Sequence, residues 1–104
     1  VQRHAFKMKL KPGVVTEYKS RHDEIWPAMA AALTAAGISD YSIFFDAETL
    51  TLFAVQKLSD GNTAVDLPNS PIVRKWWDYM APLMETHADN SPVTKPLQEV
   101  FHLD

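Results

Sequence analysis

The 104-residue sequence contains no cysteine. That excludes disulfides, thiolate metal sites and thiol catalysis together, and a cytoplasmic location is the expectation. Only three glycines occur, and none belongs to a glycine-rich phosphate loop. No apolar run approaches the length of a membrane span, and no signal-peptide pattern opens the sequence. Basic residues form no stripe: ten Lys and Arg are interspersed with thirteen Asp and Glu, for a formal net charge of −3. Neither a nucleic acid nor a membrane is therefore expected as a partner. The histidines outside the first helical stretch, His4, His87 and His102, fit no metal-ligand spacing.

What is present is an ordinary globular composition, with 46% hydrophobic and 22% charged residues. The length suits a single domain over 1–104. A chain this short buries only about two-thirds of its unfolded surface, so oligomerisation would add useful burial.

Residues 2–10 alternate, with His4, Phe6, Met8 and Leu10 on one side, which predicts a strand ended by Lys11-Pro12-Gly13. Val14, Tyr18, Arg21, His22 and Ile25 share a helical stripe. Pro27 interrupts it, which predicts one helix near 13–25 and a second near 27–36 that ends at Gly37. Residues 41–46 and 50–58 read as a hairpin with apolar residues on both faces. Residues 63–67 are ambiguous. Ser70-Pro71 predicts a helix start, with Ser as N-cap, running to about Met80. Residues 85–96 read as loop, and the alternation of Leu97, Glu99, Phe101 and Leu103 predicts a final strand.

This β-α-β-β-α-β order is the ferredoxin-like pattern, an α+β fold with a four-stranded antiparallel sheet and helices on one face. The hairpin's apolar outer residues then need a cover. A second copy packed sheet to sheet, a dimeric α+β barrel, is the simplest.

The candidates for chemistry lie in two places. Tyr18 and His22 are one turn apart on a helix, and an imidazole can move a proton near neutral pH. Spacing leaves two readings of His22 open: a proton-transfer group, or an edge histidine bonded to backbone. Trp76 and Trp77 are adjacent, about 100° apart on a helix, so both cannot face one core. One indole should face a cavity, an edge or a partner, or else Trp76 is core and Trp77 seals its rim. Tyr41 is either a core aromatic or points into a cavity between sheet and helices. The set suits a small neutral polyol, an aromatic compound or no ligand.

Taken together, several segments resemble the L-rhamnose mutarotase family: Glu17-Tyr18, Arg21-His22, Ile25-Trp26-Pro27, Tyr41, Trp76-Trp77, Tyr79-Met80, Asp89-Asn90-Ser91-Pro92 and Leu97-Gln98-Glu99-Val100-Phe101. They follow in order along nearly the whole chain, and only 59–70 departs. The resemblance implies a dimeric α+β barrel and a cytoplasmic isomerase of rhamnose metabolism that interconverts the α and β anomers of the sugar. It also implies catalysis without cofactor or metal. On it, His22 matches the proton donor, and Tyr18, Tyr41, Trp76 and Trp77 match the sugar-contacting residues. Fold alone leaves two other readings open: a cofactor-free monooxygenase or haem-degrading enzyme, and a non-catalytic sugar-binding module.

Overall fold

In the computed structural model, which describes residues 1–104, the chain forms one four-stranded antiparallel sheet with three helices packed on one face. The strands are β1 (Gln2–Lys9), β2 (Ile38–Asp46), β3 (Thr51–Leu58) and β4 (Lys95–Leu97), in the order β2-β3-β1-β4. The helices are α1 (Val15–Asp23), α2 (Pro27–Ala35) and α3 (Pro71–Met80), with short 3-10 turns at Ala64–Asn69 and Ala81–Leu83. The order of elements and of strands is that of the ferredoxin-like fold.

Local chemistry accounts for most boundaries. Trp26 is extended (φ −60°, ψ 132°) ahead of Pro27, which takes the first position of α2 and separates it from α1. Gly37, at φ +90°, follows Ala36, the C-cap of α2; a side chain there would run into Ser59 and Asn62. Pro71 opens α3 after Ser70, although the Ser70 side chain makes no capping hydrogen bond.

The sheet's inner face carries Phe6, Met8, Ile43, Phe45, Leu52 and Ala54, packed against Tyr18, Met29, Val73, Trp76 and Met80 from the helices. Leu52, Ala54 and Val73 are essentially sealed from solvent. The other face carries Phe44, Phe53 and Val55, and no element of the chain covers it; Phe44 is 63% exposed.

Two expectations about strands need correction. The final strand is Lys95–Leu97, not 97–103. It pairs with β1 through Ala5–Leu97, Phe6–Pro96 and Lys7–Lys95. The pairing with β1 ends at Leu97, and residues 98–104 leave the sheet without joining a strand. Val100, Phe101 and Leu103 are accordingly exposed despite their alternation. The second strand starts at Ile38 rather than Tyr41, because a bulge hides its first residues from a period-two reading.

Candidate active site

α1 supplies Tyr18 and His22, one turn apart, with ring centroids 4.4 Å from each other. The backbone carbonyl of Tyr18 lies 3.0 Å from His22 Nδ1. A carbonyl only accepts, so Nδ1 carries the hydrogen and Nε2 keeps its lone pair when the ring is neutral. Desolvation lowers the His22 pKa below its usual value, outweighing the opposing pull of the Tyr18 carbonyl and the Asp23 carboxylate.

α3 brings the tryptophans to the same place. Its Trp76 meets the His22 ring edge-on at 5.4 Å and Trp26 at 5.1 Å. Trp76 is buried in the core yet also forms cavity wall, while Trp77 is half-buried on that wall. The two indoles thus divide as helical geometry requires, one between core and cavity and the other at the cavity rim. The Arg74 guanidinium lies 5.4 Å from the centre of the Trp77 ring. Behind them, Arg21 spans α1 and α3: its Nε donates to Glu17 at 2.8 Å, and its guanidinium sits 4.1 Å over the Tyr79 ring.

Tyr41 comes from the other side, on β2. Burial pushes its phenol up to about 12, and burial also holds the Tyr18 phenol well above the usual range, with each other's proximity adding to Tyr18's shift. As a whole residue Tyr41 is 37% exposed. A ring that enters from the rim with its oxygen directed inward satisfies both observations.

Tyr18, His22, Tyr41, Trp76 and Trp77 all line one cavity of about 1160 Å³ between the sheet and the helices. Most of its lining is apolar, with a few polar groups, which is the usual make-up of a small-molecule site. The loop before β4 closes one side through His87, Asn90, Ser91 and Pro92. No group of three His, Asp or Glu side chains is arranged to hold a metal ion.

Sequence reasoning missed two contributors to this cavity. Gln56 on β3 is buried among the lining residues; alternation with Leu52 and Ala54 could have placed it there. His4 lines the cavity as well, on the inner side that its strand pattern indicated.

The sequence matches the model of the L-rhamnose mutarotase family over residues 3–103. It is 58% identical over 102 residues to an L-rhamnose mutarotase of Flavobacterium johnsoniae, covering 98% of this chain and 95% of that one. It is 56% identical to an L-rhamnose mutarotase of Bacteroides thetaiotaomicron over 104 residues, the full length of both. The fold superposes on the crystal structure of an L-rhamnose mutarotase from Formosa agariphila with a TM-score of 0.94 at 52% identity, over 100% of both chains. By sequence along its length and by fold, the chain belongs to the L-rhamnose mutarotase family.

Proposed function

We propose that this protein is an isomerase that interconverts the α and β anomers of L-rhamnose, with His22 as the proton-transfer group and Tyr18, Tyr41, Trp76 and Trp77 as the sugar-holding residues. The reading rests on family membership, and the observation that carries the residue assignment is His22 itself. Its Nδ1 is engaged by the Tyr18 carbonyl, and its ring stands between Tyr18 and Trp76 on the cavity wall.

Mutarotation opens a cyclic hemiacetal, rotates the carbonyl end and closes the ring on the other face. Opening removes the proton of the anomeric hydroxyl and delivers one to the ring oxygen; closing reverses both. These two oxygens share one carbon, so a single Nε2 can serve each in turn. A neutral His22 takes the proton from the hydroxyl, becomes imidazolium, and returns it at the ring oxygen. The donor form is thus generated within the turnover, which suits a histidine whose pKa is lowered. The indoles offer flat apolar faces to the sugar's C–H groups and to its methyl group. A 6-deoxy sugar fits such a wall better than a hexose, although an apolar pocket rejects an added hydroxyl only about 10²-fold.

A homodimer packed through the open faces of the sheets accompanies this reading. Phe44, Val55 and Leu97 are exposed, as are the apolar tail residues Val100, Phe101 and Leu103. No helix of the chain is long and apolar enough to cross a membrane, and with the absence of cysteine this supports a cytoplasmic enzyme.

NMR magnetisation exchange between α- and β-L-rhamnose tests the proposal. Catalytic amounts of protein should accelerate exchange above the buffer rate. His22→Gln, which keeps polarity and size but moves no proton, should lower kcat by about 10²–10⁴-fold. Full activity in that variant would remove His22 from the mechanism, and wild-type protein at the buffer rate would remove the activity.

A further inference from the structure

Within the inner face of the sheet, one cross-strand row is polar. Between the pairs Ser39–Lys57 and Ser42–Val55, β2 has two residues, Asp40 and Tyr41, opposite a single β3 residue, Gln56. Asp40 takes up the extra length with φ 47°, a conformation that Asp tolerates better than most residues. A bulge of this kind re-aims a side chain. Ile38 and Tyr41 are an odd number of residues apart, yet both line the cavity. On β3's other side, Gln56 pairs with His4 of β1. Tyr41, Gln56 and His4 therefore cross the cavity floor in one line, and all three line the cavity.

Gln56 is only 5% exposed, and its side chain borders the cavity rather than the outer surface. The bulge sets it across from Tyr41, with both side chains on the cavity side of the sheet, and it acts to lower that phenol's pKa, against the larger effect of burial. A neighbouring amide can donate its N–H to the phenol oxygen, and its effect on the pKa has the sign of that arrangement. The hydroxyl hydrogen is then left to point elsewhere, and the open direction is the cavity.

We infer that Gln56 is a positioning residue of the sugar site: by donating to the Tyr41 oxygen it fixes Tyr41 as a hydrogen-bond donor to an oxygen of the bound sugar. The inference rests on the reading of Tyr41 as a sugar contact. Without Gln56, the hydroxyl is free to rotate and to offer either its hydrogen or a lone pair. With it, the site selects a sugar that presents an acceptor at this point. The effect belongs to binding, so it falls on KM rather than on kcat.

A double-mutant cycle separates this role from mere packing. The kinetic constants for L-rhamnose anomer exchange are measured for wild type, Tyr41→Phe, Gln56→Leu and the double variant. Each single substitution should lower kcat/KM by about five- to tenfold through KM, and the double variant should lie within about twofold of the weaker single. Full multiplication of the two losses would overturn the inference, because Gln56 would then act independently of Tyr41. So would Gln56→Leu at wild-type kcat/KM. Gln56→Leu impaired beside a fully active Tyr41→Phe would overturn both the inference and the sugar-contact reading of Tyr41, whereas multiplied losses leave that reading standing. Thermal midpoints of all four proteins verify folding, and Gln56→Met replaces Gln56→Leu should the latter not fold.

Discussion

The imidazole of His22 is pulled in two directions. Desolvation lowers its pKa, the Tyr18 carbonyl and the Asp23 carboxylate raise it, and desolvation wins, leaving it below 6.5. At pH 7 the ring is neutral, with Nδ1–H held by the carbonyl and the Nε2 lone pair ready to accept. Catalysed exchange, after subtraction of the buffer reaction, should be level above pH 7 and fall on the acid side of 6.5. A rate that climbs as pH drops from 7 to 5 would mean that His22 must start protonated. The same shift has a consequence for folding. The unfolded chain binds this proton more readily than the folded one, so the contribution of His22 to stability is present above 6.5 and is lost as pH falls below it. Trp76 shows a second residue-scale compromise. It is buried deeply enough to serve as core, with Trp26 and Tyr79 packed about it, and still presents an edge to His22. Replacing it would confound stability with catalysis, which makes His22 the cleaner probe of the reaction.

The loop between α3 and β4 behaves as an element in its own right. Asp89 accepts hydrogen bonds from the Ser91 hydroxyl and backbone N–H, and from Arg74 at 3.0 Å, and these donors hold its carboxyl well below the usual carboxylate range. Asn90, at φ 67°, donates to Asp78 at 3.0 Å, and the His87 N–H donates to the Ser91 carbonyl at 2.8 Å. Arg74 therefore joins the loop to α3 beside Trp77, the same residue whose guanidinium faces that indole. Asp89→Ala should free this wall of the cavity: amide exchange at Ser91 should quicken and the KM for L-rhamnose should rise about threefold, while the thermal midpoint stays nearly constant because the ion pair is exposed. Unchanged amide exchange at Ser91 would show that Asn90 and the backbone turn hold the loop unaided. These contacts were not legible in the sequence, because Arg74–Asp89 and Asn90–Asp78 join different elements and leave no periodic mark; 85–96 read as loop, and Asp89-Asn90-Ser91-Pro92 stood out only through the family resemblance. The legible parts were those with a local signal. Pro27 and Pro71 marked helix starts, Gly37 a helix end, and the Tyr18–His22 spacing a shared face. The bulge at Asp40 and Tyr41 hid the start of β2, and with it the row that joins Tyr41 to Gln56. In 97–103 the alternation was real, but a strand also needs a neighbour, and of these residues only Leu97 pairs with β1.

At the scale of the molecule, the sheet is covered on one side only. The cavity and the site residues lie on the helical side; the open side carries Phe44 and Phe53 as directly paired residues, with Val55 paired to Ala5 and Ala5 in turn to Leu97. An antiparallel sheet can leave one face to water when that face is polar, but this one is apolar through its middle, with lysines towards β1 and β4. A second copy presenting the same face would bury that strip about a two-fold axis. Phe44, at 63% exposure the most accessible aromatic on the sheet, is the residue on which such an interface would depend most. Wild-type protein should therefore sediment at twice the 11.7 kDa chain mass at micromolar concentration, and Phe44→Glu should sediment as a monomer with a lower thermal midpoint, because two carboxylates brought face to face repel and remain unpaired. All five proposed site residues come from one chain's own cavity, so anomer exchange per folded chain should survive in the monomer. A folded Phe44→Glu protein that still sediments as a dimer would move the interface off the sheet. A folded monomer without activity would mean that the partner, through its pressure on the strands that carry Tyr41 and Gln56, is needed to set the cavity floor.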